Sequence, residues 1–368
     1  MKPIGLYIHI PFCKGKCPYC DFYSVTPHGS VIEDYTAEVC RRLSAETRIF
    51  DTVYFGGGTP SLLGAENICR ILGSVNAADG CEMTLECNPS DTGGRDSNFD
   101  FKAVVDAGID RISMGLQSSS DSERRFLGRR AGADDAERAV ERANAAGIDN
   151  ISLDLMLGLA GQSTESVGRS IEFCRRLGAK HLSAYLLKLE QGTPLYTRRN
   201  ELHLPDEDET AELYLFTVSE AAKNGFLQYE ISNFSLPGYE SRHNLKYWRC
   251  EEYLGVGAAA HSFVGGKRFY NERSIADFLE GKPPVNDGDG GDEEEFVMLA
   301  LRLTEGLSGE RFAERYGHML PREFDKKAAF FASKGLMTVC GERYRLTPQG
   351  FLLSNSIIFE LIETLEAE

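Results

Sequence analysis

The sequence predicts an α/β fold, a partial (β/α)6 barrel followed by a small, mostly helical domain, and three observations predict it. Short β-branched and aromatic runs recur along the chain, stretches with helical spacing separate them, and polar residues interrupt the runs near their C-terminal ends. The runs are LYIHI (6–10), TVYFG (52–56), MTLEC (83–87), RISMGL (111–116), ISLDLML (151–157) and HLSAYLLKL (181–189). Between them, DDAERAVERANAAG (134–147) and TESVGRSIEFCRRLG (164–178) space their apolar residues for one helix face and close on a glycine suited to a C-cap. Strand followed by helix, repeated, implies parallel units, which either open into a doubly wound sheet or curl into a barrel. Glu86, Gln117 and Asp154 favour the barrel, because a barrel gathers its functional side chains on the C-terminal rim of its strands.

At GKPPVNDGDGGDEEE (281–295) the rhythm gives way to Pro, Gly and acid, which reads as a mobile linker. It divides residues 1–280, the barrel and its extension, from residues 296–368. Beyond it, EEFVMLALRL, SGERFAERYG, PREFDKKAAFFASKG and NSIIFELIETLEAE read as helices, and LMTVCGERYRLTPQG as a short hairpin. Helices with one hairpin suggest a winged-helix-like module, although no basic recognition helix accompanies it.

A formal charge of −16 excludes a dominant nucleic-acid or anionic-membrane surface. No run is long and apolar enough to cross a bilayer, and MKPIGLYIHIPF does not resemble a secretory signal, so a cytoplasmic protein is expected. The ten cysteines are too dilute for a disulfide framework. Only Cys13, Cys17 and Cys20 cluster, in CKGKCPYCDF (13–22), directly after the first strand.

Three thiolates can hold three irons of a [4Fe–4S] cluster and leave the fourth open to a non-protein ligand. S-adenosylmethionine can chelate that iron through its amino and carboxylate groups, and reductive cleavage there gives a radical. Zinc is the alternative, with His28 or Cys40 as a fourth ligand. GGGTP (56–60) follows the second strand, where glycines let backbone approach a ligand.

Taken in order, LYIHIPFCKGKCPYCDF, VYFGGGTP, ECNP, SMGLQS, DLMLGL, HNLKYW and YLGVGAAAHSF resemble the radical S-adenosylmethionine (SAM) family of the oxygen-independent coproporphyrinogen III dehydrogenase and the heme chaperone HemW. The resemblance implies a TIM-like radical SAM barrel, with Cys13, Cys17 and Cys20 on the cluster. It implies that Tyr7 and Tyr19 contact the nucleoside or cluster region, that Gly57, Gly58 and Thr59 meet the methionine moiety, and that Glu86, Gln117, Arg129 and Asp154 line the SAM site. Carboxylates suit ribose hydroxyls or an ammonium, and an arginine fork suits a carboxylate.

The dehydrogenase pattern carries a further cysteine where this chain has Phe22, and an N-terminal extension where this chain begins its first strand within ten residues of Met1. Both departures point to the chaperone branch. HNLKYW (243–248) resembles that branch's heme motif: His243 would offer an imidazole to iron and Tyr247 and Trp248 flat apolar surface, while Arg242, Lys246 and Arg249 would pair with propionates. The other reading of the same residues is a buried, hydrogen-bonded histidine beside core aromatics. His261 is a second candidate ligand. The expected function is heme delivery to acceptor hemoproteins such as respiratory enzymes, with an electron donor such as flavodoxin or ferredoxin serving the cluster. Oxidative decarboxylation of coproporphyrinogen III and a radical SAM methylase are the alternatives.

Overall fold

In the computed structural model, which describes residues 2–365, each expected strand forms and pairs in parallel with the next. They are β1 (Ile4–Ile10), β2 (Phe50–Gly57), β3 (Ala77–Cys87), β4 (Arg111–Gln117), β5 (Asn150–Leu157) and β6 (His181–Leu186). In β1 every residue but Tyr7 is buried, as a strand covered on both faces requires. The connecting helices, among them Ala133–Ala146 and Thr164–Arg176, bury Ala139, Val140, Val167 and Ile171 against the sheet.

The sheet extends beyond this barrel on both sides. β8 (Asn233–Ser235) pairs antiparallel with β6, and β7 (Leu227–Gln228) pairs antiparallel with β8. On the other side β9 (Tyr253–Val256) pairs in parallel with β1, followed by antiparallel β10 (His261–Val264), β11 (Lys267–Tyr270) and β12 (Val285–Asp289). The order β12-β11-β10-β9-β1-β2-β3-β4-β5-β6-β8-β7 therefore describes a partial barrel with β12 and β7 as its edges.

Residues 281–295 are a correction to the expected linker. β12 occupies the middle of this stretch and hydrogen-bonds to β11, and Asp292 caps the helix Glu293–Ala300 by accepting from the Glu295 N–H at 2.8 Å. Acid and glycine are the means by which an exposed edge strand avoids pairing with other chains, so its composition imitates a linker.

The C-terminal part has its own core of Phe296, Val297, Phe312, Phe324, Phe331, Phe351 and Ile357, joined by Tyr214 and Phe263 from the larger part. Its helices Gly309–Tyr316, Arg322–Ser333 and Ser354–Ile362 surround the sheet β13 (Leu307–Ser308), β14 (Met337–Cys340) and β15 (Arg343–Leu346), ordered β13-β15-β14. The hairpin and helices expected from the sequence are present, with β13 added. The end of the expected last helix, residues 366–368, lies outside the described residues.

Candidate functional site

A cavity of about 440 Å³ opens at the C-terminal ends of β2 to β6, under the cysteine loop. Cys13, Cys17, Tyr19 and Cys20 line it from the loop, and Gly57, Gly58 and Thr59 from the turn after β2. Glu86, Gln117, Arg129 and Asp154 complete the set drawn from the sequence. The three thiols are partly exposed, and Thr59 Oγ1 lies 3.5 Å from Cys13 Sγ. Among the described residues no three His, Cys, Asp or Glu side chains converge on a single metal ion, so the thiols border the cavity without forming a one-ion nest.

Backbone geometry aims these groups. Gln117 ends β4 with φ 70°, beside a register shift against β5, a conformation that L-residues adopt rarely and that recurs where a strand must re-aim a side chain. Gly115 lets Arg129 cross the strand: a Cβ there would stand 2.3 Å from Arg129 Nη2, which donates to the Gly115 carbonyl at 3.0 Å. Nη1 of the same guanidinium points at Cys17 Sγ, 3.8 Å away.

The glycines after β2 serve packing as well as access. A Cβ on Gly57, whose φ is +107°, would meet the His9 ring at 2.5 Å, and one on Gly58 would meet the Phe12 and Ile10 carbonyls at 2.6 and 2.8 Å. The space freed by these two glycines is thus filled by β1 and the start of the cysteine loop.

Burial pushes the Glu86 carboxyl up to about 7, against the pull of a 2.7 Å hydrogen bond from Tyr54 Oη, and the Asp154 charge raises it further. Asp154 is likewise raised by burial, opposed by hydrogen bonds from Ser183 and Ser113. The folded state holds the Glu86 proton more tightly than the unfolded chain, so its contribution is present below the ordinary carboxylate range and is lost as pH rises to about 7. Glu86→Gln should therefore raise the melting temperature at pH 8, by an amount equivalent to about 1–2 kcal/mol, and leave it unchanged near pH 4.5. Equal melting temperatures at pH 8 would mean that water in the cavity solvates this carboxylate freely.

The other expected site residues lie elsewhere. Tyr7 does not line the cavity; it stacks on Tyr54 with ring centroids 6.3 Å apart and bonds His9 Nδ1 at 3.0 Å. His243, on the helix Arg242–Trp248, is 1% exposed. Its Nδ1 lies 2.8 Å from Thr52 Oγ1 and its Nε2 2.7 Å from Tyr247 Oη, while its ring stacks on Tyr54 at 5.2 Å. Burial pushes its pKa down to about 3, helped by Lys246 and Arg111. This is the buried, hydrogen-bonded histidine of the alternative reading, and no ring nitrogen is open to iron in this arrangement. Glu82 holds the helix in place from β3 by accepting the N–H groups of Arg242 and His243 at 3.0 and 2.9 Å.

Nor do the basic neighbours wait for propionates. Arg242 donates to the Gly80 carbonyl at 2.7 Å, Lys246 pairs with Asp51 at 2.9 Å and Glu251 at 3.3 Å, and Arg249 pairs with Glu305 at 3.1 Å. Trp248 turns away from the barrel into a separate groove of about 430 Å³ beside Phe296 and Arg311. His261 is exposed and stacks on Tyr270 at 5.2 Å.

Sequence reasoning missed the floor of the cavity. Tyr54, Arg111, Ser113, Ser183, Tyr185 and Asn244 all line it. Arg111, Ser113, Gly115 and Gln117 alternate along β4, so the period of the strand, followed back from Gln117, would have found the first two.

The radical SAM superfamily model matches residues 7–174, and the HemN C-terminal domain model matches residues 293–353. The heme chaperone HemW of Bacillus subtilis (strain 168) is 36% identical over 371 residues, covering 95% of this chain and 97% of that one. HemW of Escherichia coli (strain K12) is 34% identical, covering 97% and 98%. Among solved structures, coproporphyrinogen III oxidase (HemN) from Escherichia coli, described as a radical SAM enzyme, superposes with a TM-score of 0.81 over 99% of this chain and 90% of that one. At 18% identity that likeness speaks for the fold alone.

Proposed function

Since the chain belongs to the HemW family of the radical SAM superfamily, we propose that it is a heme chaperone, binding heme and passing it to acceptor hemoproteins. The observation that carries this reading is identity at the level of 36% across nearly the whole length of a HemW relative, including the C-terminal part. In this reading Cys13, Cys17 and Cys20 hold a [4Fe–4S] cluster, and Glu86, Gln117, Arg129, Asp154 and the turn Gly57–Thr59 hold SAM. The donor set suits both groups: three partly exposed thiols at the mouth of one cavity, and below them half-buried carboxyls and an arginine. When bound, the cluster supplies an electron to SAM. The residues of the chain orient the ligand, keep water from it and set the charge around it. A cytoplasmic site of action, respiratory acceptors and a flavodoxin or ferredoxin donor belong to the same proposal; among the described residues no helix is long and apolar enough to cross a membrane.

In the same proposal heme sits at the helix Arg242–Trp248, with His243 ligating iron once its bond to Tyr247 opens. Tyr247→Phe removes that competing bond, worth about 1 kcal/mol. Hemin should then bind roughly fivefold more tightly. His243→Ala should abolish the gain and shift the Soret band. Equal affinities and spectra in wild type and both variants would remove His243 from the heme site. The whole reading is tested by anaerobic reconstitution, hemin titration and transfer of labelled heme to an apo-hemoprotein. Release of CO₂ from coproporphyrinogen III without hemin binding would replace it with the dehydrogenase.

A further inference from the structure

Two openings flank the cysteine loop. The cavity at the ends of β2 to β6 reaches the loop from inside the barrel, and a separate groove of about 320 Å³ reaches it from outside, between residues 14–17 and the segments 88–91 and 128–131. Gly15, Lys16, Cys17, Thr59 and Arg129 border both, so the loop is the wall between them. A ligand seated in the cavity covers the inner face. The outer groove then remains the approach to the cysteines for anything that must arrive while that ligand is bound.

This groove is cationic in an acidic chain. Lys14, Lys16, Arg129 and Arg130 line it against the single carboxylate of Asp91, while the chain as a whole carries a formal charge of −16. Asp91 pairs with Lys14 at 2.6 Å. Lys16 and Arg130 are exposed and join no ion pair or hydrogen bond among the described residues. Unpaired cations around one groove repel each other and contribute nothing to folding, whereas they attract and orient a partner of opposite charge. Between the two lysines, Gly15 has no positive φ, and a Cβ there would meet nothing within 4 Å. Neither backbone nor packing calls for glycine at that place, and its bareness leaves room for another surface to come close to the cysteines.

We propose that this outer groove is the docking surface for an acidic one-electron carrier protein that reduces the cluster. The inference rests on the reading that Cys13, Cys17 and Cys20 hold a [4Fe–4S] cluster. With a flavin carrier, the hydroquinone anion FMNH⁻ gives up one electron and becomes the neutral radical FMNH•, and the cluster takes that electron in passing from its 2+ to its 1+ state. No proton moves and no bond forms or breaks. Lys16 and Arg130 hold the carrier against the loop while the electron crosses. Electron-transfer encounters are small and weak, which suits a carrier that must leave after each electron. The alternative use of the same cations is to offset the negative charge of the cluster itself, and the experiment separates the two.

Lys16→Glu with Arg130→Glu is made on the anaerobically reconstituted protein. Lys326→Glu with Lys334→Glu, at exposed positions of the C-terminal part, supplies the same change of charge elsewhere. Stopped-flow reduction by flavodoxin hydroquinone and equilibrium binding of oxidised flavodoxin are followed from about 0.01 M to about 1 M ionic strength, over which the Debye length falls from about 30 Å to about 3 Å. At low salt the groove variant should lose about tenfold or more in both, the loss should vanish at high salt, and the C-terminal variant should stay within about twofold of wild type. Reduction by the methyl viologen radical, a small cation, should not slow, and the midpoint potential of the cluster, read by EPR, should stay that of wild type. A groove variant that viologen also reduces slowly, with a shifted potential, would show that the cations only balance the cluster, and docking is then refuted. Equal flavodoxin binding in wild type and groove variant refutes it too, as does weakened SAM binding with flavodoxin binding unchanged, which would make the groove part of the ligand site. Should the double variant fail to fold, Lys16→Gln and Arg130→Gln are read singly by the same titration, and unchanged binding in both overturns the proposal. A wild type that takes up no cluster overturns the cluster reading, while flavodoxin binding to the metal-free chain still decides the surface.

Discussion

Replacing Cys13, Cys17 and Cys20 together by alanine should abolish the uptake of about four irons and four sulfides per chain on reconstitution, along with the broad near-ultraviolet and blue absorption of a thiolate-bound cluster. It should do so with little loss of stability before reconstitution. The three thiols are only partly buried, none joins a disulfide, and the contacts they make are weak, among them Cys13 with Thr59 at 3.5 Å and Cys17 with Arg129 at 3.8 Å. The melting temperature of the metal-free variant should therefore match metal-free wild type within a few degrees. Iron retained by the triple variant, or one zinc per chain in the wild type, would reject the cluster.

Gly58→Ala should be strongly destabilising. Its Cβ would face three backbone atoms, Phe12 O at 2.6 Å, Ile10 O at 2.8 Å and Phe12 N at 2.8 Å, and backbone cannot turn aside as a flexible side chain can. The same backbone carries hydrogen bonds from Gly58 N to Ile10 O at 2.8 Å and from Thr59 N to Phe12 O at 2.8 Å, so making room breaks the seam between the turn and the cysteine loop. Overpacking with lost hydrogen bonds costs about 2–4 kcal/mol. Denaturant unfolding should show that loss together with a lower iron content. Gly15→Ala is the control, since a Cβ there meets nothing within 4 Å. A Gly58→Ala protein as stable as wild type and fully loaded with iron would show the loop to be loosely held.

The parallel strands were legible because burial on both faces forces continuous apolar runs, and any polar residue inside one then stands out. Glu86, Gln117 and Asp154 were visible for that reason, and each does line the cavity. Arg111 was not, because a charged residue at the first position of a strand reads as the boundary of the strand. His243 shows a different limit. Its environment is made by Thr52 and Glu82, residues more than 150 positions earlier, and nothing in HNLKYW itself signals that contact. The motif reads as one patch, yet its residues diverge: Asn244 faces the cavity, His243 and Tyr247 are bonded to each other, and Trp248 faces another groove. β12 escaped because the chemistry of a protected edge and that of a linker are the same.

The pairing of β1 with β9 has a consequence for the order of events on the ribosome. Gly5 lies opposite Tyr253 and Ile8 opposite Val256, so the strand that carries the cysteine loop gains its second neighbour only after some two-thirds of the chain has been made. At about 5–20 residues per second, Cys13 is synthesised roughly 10–50 seconds before that neighbour exists. Contacts so distant in sequence are slow to form even in a finished chain. The thiols emerge among the first residues and their scaffold is completed late, so they pass through the interval as reactive side chains on an unfinished sheet. A nascent chain that stalls before residue 253 should therefore expose all three thiols to alkylation at the rate of a free peptide.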